Sequence, residues 1–258
     1  MLKERIISGI IGISIILAIL YTGGVYWIVF FALLGIAALY EFHRMLQFNY
    51  NPSLLLSLIF FLLIMFYNYN NWFIYSLVLF MFFLVIYLVI GYPRINIVDI
   101  ALSIFPALYI GFALSFVLLI LDNSQSFLIM LAIFLLTWSS DIGGYLFGSL
   151  WGKRKIAPII SPNKTLAGSI GGVFLSFLVI LAFLNLVSLG KYDNVSMIIL
   201  AVLASLAAQL GDLFISSVKR AFTIKDTGSL IPGHGGVLDR FDSFFLVLPI
   251  VYCLLNIL

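Results

Sequence analysis

The chain has 258 residues and a formal net charge of +3, with 64% hydrophobic residues, 9% charged residues and a mean hydropathy of +1.24. A soluble domain is roughly half apolar and a quarter charged, so this composition excludes the soluble classes and indicates a polytopic membrane protein. The single cysteine, Cys253, excludes a disulfide framework or a cysteine-based metal cluster built from this chain alone.

Nine apolar runs are candidates for membrane-spanning helices, each of which needs about 20 mostly apolar residues to cross a hydrocarbon core about 30 Å thick. They lie near residues 6–22, 25–40, 53–68, 72–92, 98–121, 126–150, 167–190, 195–217 and 240–258. The second and third runs are short, and Pro106 predicts a kink or a break in the fifth. We therefore predict an all-α polytopic membrane protein with about nine transmembrane helices.

Lysine and arginine residues are distributed asymmetrically around these runs. With nine spans, only Lys191 falls on the side opposite to the N-terminus. The other basic residues share the side of the N-terminus: Lys3, Arg5, Arg44, Arg94, Lys153, Arg154, Lys155, Lys164, Lys219, Arg220, Lys225 and Arg240. Because cytoplasmic loops are enriched in positive charge, the pattern predicts a cytoplasmic N-terminus and an external C-terminus in the cell (inner) membrane.

The two halves of the chain differ in polar content. Residues 1–125 are almost free of charge within the runs, which predicts an N-terminal transmembrane scaffold. In residues 126–258, glycine, hydroxyl and charged side chains crowd the ends of the runs, which predicts a transmembrane catalytic region. Its cytoplasmic polar loops are expected at 151–166 and 218–239.

Two runs of the second half carry polar side chains on one helical face. In the sixth run, Thr137, Asp141, Gly144 and Gly148 share a face, and the glycines allow another helix to approach closely. An aspartate at membrane depth is usually functional, although it can also be a structural partner of a neighbouring helix. The eighth run carries a polar stripe, Ser205, Gln209, Asp212, Ser216 and Lys219. Such a stripe can join helices, but its carboxylate and cation favour a water-filled cavity lined by ions.

The first polar loop has a candidate helix start. Ser161 and Pro162 fit the cap and the first helical residue, which would place Lys164 and Thr165 in a first turn that can hold phosphate.

The second polar loop combines cations with glycines. Lys219, Arg220 and Lys225 precede glycines, which can expose backbone N–H groups to an anion. Asp239 and Asp242 follow one turn apart, and either a site role or simple capping of the next helix accounts for them. Mg²⁺ prefers oxygen ligands and substrate phosphates, which suits Asp212 and Asp239. Basic residues would neutralise a transferring phosphoryl group, so the pattern predicts phosphoryl or nucleotidyl transfer to a lipid.

The segment SSVKRAFTIKDTGSLIPGHGGVLDRFDS resembles the C-terminal signature of the phosphatidate cytidylyltransferases, also called CDP-diacylglycerol synthases. The matching positions are Ser216, Lys219, Arg220, Lys225, Asp226, Gly228, Pro232, His234, Gly235, Gly236, Asp239, Arg240 and Asp242. The resemblance extends to SSDIGGYLFG and SPNKTLAG, so its motifs cover residues 137–243. Leu166 and Ala167 depart from the family, which often has an aromatic and an acidic residue there.

This resemblance implies that the phosphate of phosphatidic acid attacks the α-phosphorus of CTP, forming CDP-diacylglycerol and pyrophosphate with Mg²⁺. It implies catalytic roles for Asp212, Asp239, Lys219 and Arg220. Asp212 and Asp239 would hold the metal, Asp141 would be a third ligand or the partner of a ligand, and a second cation is allowed. The substrate-binding residues would be Ser161, Lys164, Thr165, Lys225, His234, Gly235, Gly236 and Arg240. His234 would either orient a phosphate or hold its loop.

Two other functions fit part of this pattern. An ion-coupled transporter also has intramembrane aspartates, but its polar groups would lie near the midplane and the sequence has no inverted repeat. An enzyme that moves alcohols onto CDP-lipids would carry an Asp-Gly-x-x-Ala-Arg motif, which is missing. The expected partners are CTP, phosphatidic acid and the bilayer, without nucleic acid, and the sequence leaves homo-oligomer formation open.

Overall fold

A computed structural model describes residues 2–46, 50–69, 71–187, 193–231, 233 and 235–257, and of residues 2–6 and 184 it describes the backbone alone. Across these residues the chain is helical, with two isolated β-bridges and no strand. The helices are α1 Leu2–Thr22, α2 Val25–Leu46, α3 Leu54–Met65, a 3₁₀ helix Tyr67–Tyr69, α4 Phe73–Gly91, α5 Ile97–Leu121, α6 Ser126–Trp151, α7 Leu166–Leu186, α8 Asn194–Ala221 and α9 Leu238–Ile257.

The all-α prediction is confirmed. Within the described part of the chain, seven helices, α2 and α4 to α9, are long and apolar enough to cross a membrane. The helix α3 has 12 residues and a length of about 18 Å, less than a hydrocarbon core of about 30 Å. The count of nine spans and the orientation of the termini therefore stay predictions.

The helices form two compact units, Met1–Leu119 with Asp226–Leu238, and Ile120–Lys225 with Asp239–Leu258. In the first unit, the fully buried Phe61 of α3 packs between α2 and α5. A methyl group at Gly35 would overlap the Phe61 ring, and one at Gly111 would lie 3.1 Å from the Phe61 carbonyl oxygen. Glycine is therefore needed where these helices approach α3.

In the second unit, α6 and α7 pack through glycines, as the face of Gly144 and Gly148 predicts. A methyl group at Gly168 of α7 would lie 2.6 Å from the Gly144 carbonyl oxygen, and one at Gly148 would lie 3.5 Å from the Gly168 Cα. The closest approach to backbone between the two helices is at Gly143, whose added methyl group would overlap the Gly171 carbonyl oxygen. The helix α9 packs on α6 through the stacked rings of Phe134 and Phe244, with centroids 4.8 Å apart.

We expect Gly143→Ala to destabilise the second unit by about 1–3 kcal/mol, because its methyl group meets rigid backbone rather than a movable side chain. Gly144→Ala is the matched control, since its nearest neighbour would be 3.8 Å away. Thermal unfolding of both variants in one detergent measures the difference. Equal unfolding temperatures for the two variants would contradict this account of the α6–α7 packing.

The break predicted at Pro106 does not occur, because α5 runs continuously past it, as a spanning helix can when neighbours satisfy its freed backbone groups. A kink there stays a prediction. Two further local predictions are wrong. The second polar loop does not begin at 218, because α8 continues to Ala221 and includes Lys219 and Arg220 in its last turn, where cations are favoured. The helix α7 begins after Thr165 rather than at Ser161.

Thr165 is the cap of α7 because a backbone pairing holds it in an extended conformation. The Ile156 N–H donates to the Lys164 carbonyl, and the Leu166 N–H donates to the Arg154 carbonyl. The Thr165 hydroxyl then accepts the Gly168 N–H at 3.1 Å. The segment before α7 is therefore fixed at both ends, and Lys164 precedes the helix instead of lying within it.

Candidate functional site

The polar stripe of α8 organises the charged groups of the second unit. One oxygen of Asp212 lies 2.6 Å from the Lys164 Nζ, in an ion pair whose side chains are 31% and 22% exposed. Ser216 donates to the other Asp212 oxygen at 3.1 Å. The Lys164 ammonium also donates to the Gln209 carbonyl at 3.3 Å, so it is fixed against α8 by two contacts.

The inner part of the same stripe joins three helices. The Gln209 Nε2 donates to the Ser169 carbonyl of α7 at 3.2 Å, and the Ser169 hydroxyl donates back to the Gln209 Oε1. The hydroxyl groups of Ser205 and Ser140, on α8 and α6, lie 2.8 Å apart. The inner residues of the stripe therefore join helices, and the water-filled cavity at its charged residues stays a prediction.

A second ion pair lies about two turns farther along α8. The Lys219 Nζ donates to the Asp239 Oδ1 at 2.7 Å, and the two side chains are only 11% and 7% exposed. A buried pair of this kind is sensitive to the loss of either partner, because the remaining charge would stay desolvated.

Two further carboxylates face Asp212. Asp141 of α6 and Asp242 of α9 are both close enough to Asp212 for direct repulsion between carboxylates. Ser243 donates its backbone N–H to Asp242 at 2.7 Å, and its hydroxyl lies 3.5 Å from the Asp141 Oδ1. The helices α8 and α9 are close here, since a methyl group at Gly211 would lie 2.7 Å from the Asp242 carbonyl oxygen. Asp242 accordingly faces the charged cluster and does not cap α9.

The donor chemistry of this cluster suits a hard divalent cation, because its acidic side chains offer carboxylate oxygens rather than thiolates. Within the described ranges, no group of three histidine, cysteine or acidic side chains stands ready to coordinate an ion. Lys164 and Lys219 instead pair with Asp212 and Asp239, two of the predicted ligands. A cation would need these side chains to rearrange, and the ligand set of Asp141, Asp212 and Asp239 stays a prediction.

Comparisons with known proteins agree with a site of charged side chains on apolar helices. A model of the cytidylyltransferase family matches residues 3–258. The chain belongs to the cytidylyltransferase family. A phosphatidate cytidylyltransferase of Staphylococcus aureus (strain COL) is 36% identical over 262 residues, which cover 98% of this chain and 99% of the relative. A phosphatidate cytidylyltransferase of Staphylococcus saprophyticus is 35% identical over 263 residues, with the same coverage.

The remaining site residues of this cytidylyltransferase are less clustered. Arg220 donates to the carbonyl groups of Ile160 and Ile224 at 3.1 and 3.0 Å, so it ties the first polar loop to α8. Lys225 and Arg240 are exposed, and Ser161 is half-buried in a turn. Gly235 and Gly236 belong to the first unit. His234 lies outside the described residues, and the roles predicted for all of these residues stay predictions.

Sequence reasoning missed several polar residues of this family member. Asp242 was as compatible with a cap as with a site, and Ser169 and Ser243 were single hydroxyl groups without a pattern. Glu41 of α2 was also missed, although it is fully buried at 1% exposure. Its signal is an acidic residue that directly follows the apolar run 25–40.

Proposed function

We propose that this family member is a CTP:phosphatidate cytidylyltransferase, which transfers CMP from CTP to phosphatidic acid in phospholipid biosynthesis. The observation that carries the proposal is the pair of lysine–aspartate contacts along α8, at Asp212 and Asp239, in a protein of apolar helices. Ammonium groups bind phosphates and carboxylates bind cations, so the cluster suits a lipid phosphate and a nucleoside triphosphate. The relatives' name supplies the identity of both substrates.

The reaction needs positioning more than proton transfer. A phosphate oxygen of phosphatidic acid forms a bond to the α-phosphorus of CTP, the bond from that phosphorus to the β-phosphate oxygen breaks, and pyrophosphate leaves. Because the attacking oxygen is already anionic, no strong general base is required. Lys164 and Lys219 would hold phosphate oxygens and neutralise the charge that spreads over the transferring group.

We also propose that Mg²⁺ is required, with Asp212 and Asp239 as ligands and Asp141 as a third ligand or the partner of one. When bound, the ion would neutralise phosphate charge and orient CTP. Ser161, Thr165, Arg220, Lys225, His234, Gly235, Gly236 and Arg240 would contribute to holding phosphates. The Thr165 hydroxyl accepts the Gly168 N–H, so its own proton is the part available to a phosphate.

The proposed topology has nine spans, which adds α1 and α3 to the seven long helices, and places the charged end of α8 at the cytoplasmic face of the inner membrane. The support is the distribution of basic residues, in which Lys191, outside the described residues, stands alone on the far side. In a Cys253→Ser background, we expect a membrane-impermeant maleimide to label Lys191→Cys on intact cells. Lys155→Cys should react only after permeabilisation, and the reverse pattern would contradict the orientation.

The function is tested with purified protein in detergent. CTP and phosphatidic acid together should yield CDP-diacylglycerol and an equal amount of pyrophosphate, and omission of either substrate or of Mg²⁺ should abolish both products. Release of pyrophosphate without CDP-diacylglycerol would contradict transfer to the lipid. Solute uptake by reconstituted vesicles, from a folded protein that forms no product, would favour a transporter instead.

A further inference from the structure

The glycine-rich segment before α9 surrounds a buried carboxylate of its own unit. Glu41 lies on α2, and its Oε1 accepts the Val237 N–H at 3.0 Å. Its Oε2 accepts the Leu238 N–H at 2.8 Å and the Thr227 hydroxyl at 3.2 Å. Three donors of the segment therefore converge on one side chain that is 1% exposed.

Two glycines of the segment are required by this carboxylate. A methyl group at Gly228 would lie 2.6 Å from the Glu41 Oε1, and one at Gly236 would lie 2.5 Å from the Oε2. A methyl group at Gly236 would also overlap the Thr227 hydroxyl. The anion that accepts the N–H groups of Val237 and Leu238 is therefore the protein's own carboxylate.

The position of Glu41 also supplies a helix cap that the neighbouring sequence lacks. The residue before α9 is Val237, whose side chain cannot accept a hydrogen bond. Glu41 accepts the N–H groups of Val237 and Leu238 from 196 and 197 residues away, at the positive end of the α9 dipole. The next residue after Leu238 is Asp239, so this contact fixes the backbone from which Asp239 extends.

We propose that Glu41 is a positioning residue, which clamps the segment Thr227–Leu238 and thereby sets the start of α9 for catalysis. The clamp itself follows from the hydrogen bonds, and its effect on turnover rests on the proposed function. A glutamine could not replace it, because an amide has one acceptor oxygen and would direct N–H donors at backbone N–H groups. At least one buried donor would then be unpaired, which loosens the segment.

Glu41→Gln is the test variant, and Asp99→Asn is its matched control in the same unit. Asp99 is 3% exposed, and its carboxylate likewise accepts two backbone N–H groups, of Asn51 and Asn96, at 2.9 and 3.0 Å. Both variants should lower the unfolding temperature. Only Glu41→Gln should lower kcat, by about tenfold or more, with the KM for phosphatidic acid within about twofold of wild type.

Hydrogen exchange supplies a readout that does not depend on turnover. The amides of Val237 and Leu238 should exchange faster in Glu41→Gln and at the wild-type rate in Asp99→Asn. Unchanged exchange would overturn the clamp, and a Glu41→Gln kcat no lower than that of Asp99→Asn would overturn the role in catalysis. A wild-type protein that forms no CDP-diacylglycerol would contradict the proposed function, while the exchange rates would still decide the clamp.

A second pair of substitutions tests the steric relation directly. Gly228→Ala should lower kcat because its methyl group collides with Glu41. Glu41→Asp shortens the side chain by one methylene and withdraws the carboxylate from the added methyl group. The kcat of the Gly228→Ala, Glu41→Asp double variant should therefore be no lower than that of the less active single variant. Losses that simply multiply would show that the two positions act independently and would overturn the assignment of Gly228 to Glu41.

Discussion

Asp212→Asn is expected to lower the kcat for CDP-diacylglycerol formation about a thousandfold, an effect typical of losing one preorganised charge in an active site. The substitution removes the negative charge that holds Lys164 at 2.6 Å and that we propose as a metal ligand. The fold should survive, because an amide oxygen can still accept from Ser216 and the group is partly exposed. Product formation from CTP and phosphatidic acid measures the effect.

Asp193→Asn is the control for Asp212→Asn on the same helix. Asp193 is the exposed cap of α8, and hydrogen bonds from Ser196 hold the pKa of the Asp193 carboxyl below its ordinary value, so both substitutions remove one negative charge at neutral pH. Asparagine caps a helix as well as aspartate does, so activity should be unchanged. If Asp212→Asn kept more than about a tenth of wild-type activity, Asp212 would have no central role in the reaction.

Lys219→Met should be the most destabilising of the site variants, by about 3–5 kcal/mol, because it removes the ammonium group that neutralises the buried Asp239 carboxylate. Activity should fall below detection at the same time. Unfolding of purified protein in a series of denaturant concentrations measures the first effect, and product formation measures the second.

A double variant separates stability from catalysis at this ion pair. Lys219→Met with Asp239→Leu replaces two buried charges by apolar groups, which is often neutral or stabilising, so the unfolding free energy should return to within about 1 kcal/mol of wild type. Activity should not return. A stable Lys219→Met protein would contradict the burial argument, and an active double variant would remove both residues from the proposed mechanism.

The helices could be predicted from the sequence because hydrocarbon thickness and side-chain hydropathy fix their lengths. The end of α8 was missed because Lys219 and Arg220 have loop-like polarity, whereas the last turn of a helix favours cations. The cap of α7 was predicted at Ser161, whereas the structure has it at Thr165. The choice depends on backbone pairing with Arg154 and Ile156, which local sequence does not encode.

The candidate site was predictable as a set of residues but not as a set of contacts. Helical spacing placed Asp212 and Lys219 on one face of α8, yet which cation meets which carboxylate depends on how separate segments pack. The bonds from Val237 and Leu238 to Glu41 span 196 and 197 residues, so no local pattern indicates them. Contacts of this range depend on the tertiary fold.

The length of α8 bears on where the reaction can take place. Its 28 residues make a helix about 42 Å long, which exceeds the hydrocarbon thickness of about 30 Å. The excess of about 12 Å corresponds to the last eight residues, Phe214–Ala221, which are therefore long enough to reach the depth of the lipid headgroups. A lipid phosphate could meet its nucleotide there while both fatty tails stay dissolved in the leaflet, so the enzyme would need no work to extract its substrate from the membrane.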